Sequence, residues 1–186
     1  MERPRRSLAT KIRGVSSDDT SFICATCSRE HPGLPTDYAY GLPDEVFSLS
    51  YLDRYRRTRS NADLCTLDDE RFFIRGVLSV PFVASDEEFV WGLWVEVDRE
   101  HHDLYLNGFF DDLSGHPRFE GMLANAIVAY DETPGLVVTV QFSAGDQRPS
   151  FHFPEDTAHL LAREQRGGIT PERHHEILER VGFFDR

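Results

Sequence analysis

Hydrophobic and polar positions follow a strand pattern through the centre of the chain and a helix pattern toward both ends. Six central segments, rich in β-branched and aromatic residues, fit strands. They are residues 64–67, 72–80, 89–97, 119–128, 136–143 and 149–153. The polar residues 84–88 lie between the second and third of these segments. This short connection predicts a β-hairpin.

The flanking segments predict helices. Val46, Leu49, Leu52 and Tyr55 recur every three positions after Pro43, which is the spacing of one helix face. The other predicted helices, each with its N-cap, are 99–109 after Asp98, 158–166 after Asp156 and 171–181 after Thr170. Regular alternation of strand and helix is missing. The order therefore predicts an α+β fold with a mainly antiparallel sheet and helices packed on one face.

The first twenty of the 186 residues differ from the rest. Residues 1–20 carry five cations and no apolar period, so we expect a disordered basic tail. They also lack the apolar stretch of a signal peptide. Residues 21–186 are then a single α+β domain. It opens with a turn-rich segment, residues 22–35, that we expect to form a zinc-knuckle-like loop.

Charge narrows the function classes. The chain has 20 Lys and Arg against 32 Asp and Glu, a net charge of −12. This excess disfavours duplex DNA and anionic membranes as partners, and no apolar run has the length of a membrane span. Residues 60–160 hold nineteen Asp or Glu against five Arg, a net charge of −14. This segregation predicts a protein whose sheet region steers toward a basic protein.

The strongest local motif is Cys24-Ala25-Thr26-Cys27, because two thiolates at this spacing can hold one tetrahedral ion. A redox pair usually sits at a helix N-terminus, whereas Pro32 soon interrupts this segment. His31 and Cys65 would complete a closed site of three cysteines and one histidine, with structural zinc. A redox dithiol, or cysteines that are merely buried, are the open alternatives.

Two further pairs of residues are candidates for partner binding. Arg75 lies in the middle of a predicted strand, where a buried guanidinium needs a carboxylate such as Glu70 or Glu96. Trp91 and Trp94 are three apart on the next strand and therefore face opposite sides. We expect one in the core and one exposed on a binding surface. Glu70, Arg75, Trp91 and Trp94 are the predicted partner-binding residues.

Histidines give weaker signals. Adjacent histidines on a helix point about 100° apart and do not easily share an ion. The pairs His101–His102 and His174–His175 are therefore expected to be solvated helix residues. No phosphate loop, dinucleotide-binding glycine motif or nucleophile elbow is present in the sequence. An enzymatic alternative would place Arg75, Glu70 and His159 around one cleft.

Three blocks in order cover about residues 22–180 of the chain. They are Phe22-Ile23-Cys24-Ala25-Thr26-Cys27 with His31 and Gly33-Leu34-Pro35; Asp63-Leu64-Cys65 with Phe72-Phe73-Ile74-Arg75-Gly76 and Phe89-Val90-Trp91-Gly92-Leu93-Trp94-Val95; and His159-Leu160-Leu161-Ala162 with Glu164-Gln165 and Gly168-Ile169-Thr170. Together they resemble the bacterial family called domain of unknown function 2199. Val77 stands where that pattern often has another cysteine, so no ligand is required there.

The resemblance implies a small bacterial cytoplasmic protein and no particular activity. It also implies that Cys24, Cys27, His31 and Cys65 are positions of the family pattern. The leading expectation is a non-enzymatic, zinc-stabilised protein-binding module, and one form of it is an antitoxin-like immunity protein. The alternatives are a hydrolase-type enzyme, and a single-strand nucleic-acid binder that uses the knuckle, its aromatic residues and the basic tail.

Overall fold

A computed structural model describes residues 22–23, 30–31, 33–83, 85–145 and 147–184, the first two ranges through their backbone. The chain is α+β with a mostly antiparallel sheet, as the pattern predicts. The ten strands of the described residues are β1 Phe22–Ile23, β2 Glu30–His31, β3 Asp37–Ala39, β4 Thr58–Ser60, β5 Leu64–Leu67, β6 Arg71–Pro81, β7 Glu88–Val97, β8 Phe119–Leu123, β9 Val137–Gln141 and β10 Ser150–His152. The same described residues contain five helices, α1 Asp44–Ser48, α2 Tyr51–Arg57, α3 Arg99–Asn107, α4 Leu160–Gly167 and α5 Pro171–Arg180.

The long β6–β7 hairpin organises the sheet. Its antiparallel register runs from Phe72 opposite Val97 to Pro81 opposite Glu88, which confirms the predicted hairpin. From β7 the order continues through β8, β9 and β10, and β10 pairs in parallel with β6 at Ser150 and Val77. These five strands form a closed barrel. β5 and β4 extend the sheet beyond β6, whereas β3 pairs in parallel with β7.

Gly76 permits the barrel to close where β10 crosses β6. A Cβ at this position would overlap the ring of Phe151 and would lie 2.5 Å from the Pro149 carbonyl oxygen. The Val77 N–H donates to that same carbonyl at 2.8 Å. Glycine is therefore the residue that lets the two backbones approach.

Both faces of the hairpin are buried. Trp91 lies in the larger core, which fills the barrel and extends under α3, α4 and α5. Trp94 lies in a smaller cluster on the opposite face with Val46 of α1, Cys65 and Phe73. The predicted opposition of the two tryptophans is confirmed. The expectation that helices pack on one face only is wrong, because α1 covers the second face.

The predicted helix that carries Val46, Leu49, Leu52 and Tyr55 is divided into two. Leu49 adopts an extended conformation and ends α1, and the Ser50 side chain accepts from the Asp53 N–H to start α2. At the C-terminal end, His159 rather than Asp156 caps α4. The predicted caps Asp98 and Thr170 are confirmed on α3 and α5. None of the helices described has the length and apolarity needed to cross a membrane.

Candidate functional site

Helix α2 is held against α1 by polar contacts. Arg54 donates from Nε to the Val46 carbonyl at 3.1 Å and from a terminal nitrogen to the Phe47 carbonyl at 2.5 Å. It thereby gives a partner to the Phe47 carbonyl at the C-terminal end of α1 and a second one to the Val46 carbonyl, which also accepts from the Leu49 N–H. The Thr58 hydroxyl donates to the Arg54 carbonyl at 2.7 Å and closes α2 in turn. The helix is positioned without any buried residue of its own.

This attachment of α2 to α1 leaves large apolar side chains exposed to solvent. Phe47, Tyr51, Leu52 and Tyr55 are 62, 82, 58 and 76% exposed. Four exposed large side chains within nine positions of the chain are a local concentration of apolar surface, which is typical of interaction sites. The spacing of three along residues 46–55 predicts one buried stripe, but only Val46 of that stripe is buried. The break at Leu49 turns the rest outward.

A groove of about 720 Å³ is lined by residues of α2 and of β4, which follows it directly. Its lining consists of Tyr51 and Tyr55, three arginines, and strand residues Thr58 and Ser60; the arginines are Arg54, Arg56 and Arg59. The described lining contains no carboxylate, although the chain as a whole carries a net charge of −12. The groove is therefore a local cationic and aromatic site on an acidic protein. We call it the β4 groove.

The nearby Arg57 is already neutralised and does not line the groove. Its guanidinium binds both carboxylate oxygens of Asp68, at 2.9 and 2.6 Å. This hydrogen bonding raises the pKa of Arg57 and lowers the pKa of Asp68. The contrast shows which arginines are free to meet an outside charge, since no ion pair within the described residues engages Arg56 or Arg59.

Strand β4 ends the eight-stranded sheet in the described part of the chain. The Arg57 carbonyl accepts from the Asp68 N–H, and the Asn61 N–H donates to the Leu64 carbonyl. Alternate residues of a strand direct their backbone groups to the same side, so those of Thr58 and Ser60 point away from β5. The Thr58 N–H is used by the Arg54 carbonyl. The N–H and carbonyl of Ser60 consequently face an open edge.

A second cavity of about 390 Å³ adjoins the β4 groove and shares Arg59 and Ser60 with it. Its apolar floor includes Leu64, Phe72 and Leu106, and the Arg99 guanidinium carbon lies 4.4 Å from the Phe72 ring centre. Asp69 and Asp103 also line it. The buried Thr66 hydroxyl and His102 Nε2 in its wall have no hydrogen-bond partner among the residues described.

The structure places one of the four predicted zinc ligands. Cys65 is fully buried in the smaller cluster, and burial raises the pKa of its thiol to about 11. Cys24, Cys27 and the side chain of His31 lie outside the described residues. Within the described residues no group of three His, Cys, Asp or Glu side chains could hold a metal ion. The zinc site therefore stays a prediction from the sequence.

The four predicted partner-binding residues do not form one surface. Trp91 and Trp94 are both fully buried, so the expectation that one of them is exposed is wrong. Arg75 is 8% exposed, and Glu70 is exposed in the turn between β5 and β6. Burial on both faces of the hairpin removes these tryptophans from contact with a partner.

Arg75 has a different neighbour from the one predicted. Its terminal nitrogen lies 3.4 Å from the Ala62 carbonyl, and its guanidinium carbon lies 6.0 Å from the Trp94 ring centre. Burial, followed by the nearby charge of Arg148, lowers its pKa, and Asp63 opposes this shift. The expected partner Glu96 is bound instead by two nitrogens of Arg71, at 2.7 and 2.6 Å.

The residues of the enzymatic alternative have separate structural settings. His159 accepts from the Leu161 N–H at Nδ1, and its Nε2 lies 2.7 Å from the Asp131 carbonyl oxygen. Its ring therefore caps α4 and joins it to a loop. Neither of the two cavities beside β4 is lined by Arg75, Glu70 or His159.

Three of the four paired helix histidines are buried, so their expected solvation is wrong. His102 packs against Phe72 with ring centres 5.2 Å apart, and His174 packs against Phe89 at 5.3 Å. His175 is 2% exposed and stacks on Phe184. Aromatic neighbours outside each helix pack against these rings, and the position of a histidine on its helix does not predict such neighbours.

The residues that sequence reasoning missed are those of the β4 groove. A signal for them exists in Ser50 followed by Asp53, the start of a second helix, and in four arginines within residues 54–59. Tyr51 and Tyr55 are four positions apart and share one face of the helix that follows Ser50, but α2 has only seven residues and buries none of them.

Residues 23–169 match the family described as "Uncharacterized protein conserved in bacteria (DUF2199)". This match covers most of the chain and includes the described barrel and the β4 groove. Comparisons with curated proteins and with solved structures found no match. The chain therefore belongs to this uncharacterised bacterial family.

Proposed function

We propose that this chain is a non-enzymatic protein-binding module and that the β4 groove is its contact surface. The observation that carries the proposal is the pair of exposed tyrosines, Tyr51 and Tyr55, beside arginines in a groove without a described carboxylate. Tyrosine and arginine are enriched at the energetic centres of protein interfaces. A partner that covered this groove would bury the aromatic surface that α2 leaves in water.

The groove favours an acidic contact on the partner. The sequence expectation is the reverse, a basic protein bound by an acidic sheet face, as in an antitoxin-like immunity protein. The hairpin offers no bare sheet face for this role, because both of its faces are covered. Acidic side chains instead occupy exposed turns such as 68–70 and 86–88. A basic partner at these turns stays a separate prediction.

We also propose, from the sequence motif, that zinc fixes the N-terminal segment to this module. Cys65 would be the ligand supplied by β5, with Cys24, Cys27 and His31 from the segment before β3. A closed site with three thiolates has no open position for a water molecule. Zinc in such a site would stabilise the fold and would not supply catalysis.

Site-directed photo-crosslinking tests the contact surface. A benzoylphenylalanine is placed at Tyr51 in the full chain, and a matched one at Leu160, which is 41% exposed on α4. We expect position 51 to capture one or a few specific proteins from bacterial lysate, and position 160 to capture none of them. Competition by unlabelled wild-type protein should abolish the capture, whereas the Tyr55→Gln, Arg56→Gln variant should compete poorly. Equal capture at both positions, or none at position 51, contradicts the proposal.

A further inference from the structure

We infer that the partner presents an extended segment with alternating acidic and apolar residues, which adds to β4 as a further strand. This inference rests on the proposed function, since it names the chemistry that the β4 groove would recognise. Three features carry it: the open edge of β4, the positions of the two cavities, and the charge of each.

The open edge supplies backbone recognition. The Ser60 N–H and carbonyl point away from β5, as the pairing of the neighbouring Arg57 and Asn61 with β5 requires. An extended chain that lies along an exposed edge forms main-chain hydrogen bonds to such groups. This recognition depends on strand conformation and is independent of the partner's side chains.

The two cavities supply side-chain recognition on opposite faces of that edge. Thr58 lines only the β4 groove, and its cross-strand partner Leu67 belongs to the smaller cluster on one sheet face. Leu64 and Thr66 line only the second cavity and lie on the opposite face, while Arg59 and Ser60 stand between the cavities and line both. Successive side chains of an added strand point alternately to the two faces. One side chain would therefore enter the β4 groove and the next would enter the second cavity.

The charge of each cavity sets the alternation. Arg56 and Arg59 of the β4 groove have no ion-pair partner among the described residues, and no described carboxylate lines the groove, so it suits a Glu or Asp side chain. The second cavity has an apolar floor of Leu64 and Phe72, and its two arginines, Arg59 and Arg99, are balanced by Asp69 and Asp103, so it offers an acid no net positive charge. It suits an apolar side chain. Successive side chains of the partner segment are therefore acidic, apolar and acidic.

A single nucleic-acid strand is the competing occupant, because tyrosines beside arginines can stack on bases and bind phosphates. Two observations favour the peptide. The net charge of −12 repels a polyanion at long range, and a nucleic acid makes no use of the open β-strand edge at Ser60. Binding of an oligonucleotide is therefore measured beside binding of the peptide.

The experiment uses a fluorescent peptide with the core Glu-Val-Glu-Val-Glu between Gly-Ser flanks, measured by anisotropy against the full chain. The comparison probes are the same peptide with Lys for Glu, the same peptide with an N-methylated central Glu, and a ten-residue oligothymidine. We expect the acidic peptide to bind at least about tenfold more tightly than each of the other three, because they lose charge or backbone complementarity. Equal binding of the methylated peptide, or tighter binding of the oligothymidine, overturns the inference.

Protein variants locate the binding. Arg59→Gln should weaken binding of the acidic peptide severalfold, whereas Arg118→Gln, an exposed arginine bound to Gln141, should leave it unchanged. Equal loss in both variants would indicate charge alone and would overturn the inference. Photo-crosslinking at Tyr51 separates the two proposals. Specific capture of a protein without peptide binding would support the proposed function and overturn the inference of an extended acidic segment. If neither capture nor peptide binding is observed, both the proposed function and the inference are overturned.

Discussion

At the scale of single residues, the space around a side chain determines how tolerant a position is. Gly76 shows this most directly, since β10 occupies the place where its Cβ would stand. The sequence predicts a strand through this position and gives no sign that a neighbour lies so close. That contact joins residues more than seventy positions apart, and local pattern does not encode it.

Replacing Gly76 by alanine should destabilise the barrel. The added methyl overlaps the Phe151 ring and the Pro149 carbonyl oxygen, so β10 must move away from β6. We expect the free energy of unfolding to fall by about 2–3 kcal/mol, as for other overpacked cores. Urea denaturation measures it. Gly115→Ala is the matched control, because nothing lies within 4 Å of a Cβ there. Equal stability of the two variants would show that β10 closes the barrel loosely.

The predicted zinc site can be tested through the metal content of the protein and of its single-residue variants. Wild-type protein should carry about one zinc per chain, and Cys24→Ser and Cys65→Ser should each lose it, because a closed site needs its four ligands. Elemental analysis of purified protein measures the metal. His152→Gln, an exposed histidine outside the predicted set, should retain it.

Chelation tests the consequence of zinc binding for folding. Structural zinc contributes on the order of 10 kcal/mol in small zinc-binding peptides, so a chelator should lower the unfolding temperature of the wild type markedly. A purified wild type that is free of zinc, and that unfolds at the same temperature with and without chelator, would rule the site out.

At the scale of elements, caps and breaks decide where apolar side chains point. The period of three over residues 46–55 predicts one helix with one buried stripe. The structure has two helices, because Leu49 is extended and ends α1, and Ser50 is the N-cap of α2. The starts of α3 and α5 are predictable, because their cap residues, Asp98 and Thr170, directly precede segments with a helical pattern. The division at Leu49 is harder to predict, because no glycine or proline marks it and its local signal is limited to the cap pair Ser50 and Asp53.

The tyrosines of α2 should contribute to binding and not to stability. Tyr51→Gln and Tyr55→Gln remove aromatic rings that are 82 and 76% exposed, so each should change the free energy of unfolding by less than about 0.5 kcal/mol. Trp94→Ala, in the smaller cluster, should cost about 3–5 kcal/mol. Thermal and urea unfolding measure both. A large loss in either tyrosine variant would mean that α2 packs against the fold.

At the scale of the whole molecule, the topology joins distant parts of the chain. Composition and order predict an α+β class and a mainly antiparallel sheet, and these are present. They do not predict that β10 pairs in parallel with β6 to close a barrel, or that α1 covers the second face of the hairpin. Both depend on pairing between segments whose local patterns are compatible with several neighbours.

His174 connects helix α5 to the segment that precedes β3. On α5, it lies 2.9 Å from the Pro35 carbonyl oxygen through Nε2 and packs on Phe82 and Phe89. Burial lowers its pKa below the ordinary 6.5, an effect that the Pro35 carbonyl opposes and the neighbouring His175 reinforces. Protonation of the folded protein therefore requires a charge in an aromatic environment between the N-terminal segment and the C-terminal helix.

This shift predicts how stability depends on pH. Below pH 6.5 the unfolded chain takes up a proton at this histidine before the folded chain does, so the free energy of unfolding should fall as pH decreases from 7.5 to 5.5. Above that window both states are neutral here and the contribution vanishes. His174→Gln keeps a donor for the Pro35 carbonyl but does not titrate, so its stability should decline less over the same range. Urea denaturation at pH 7.5, 6.5 and 5.5 measures the difference, and parallel declines would assign the pH dependence to other groups.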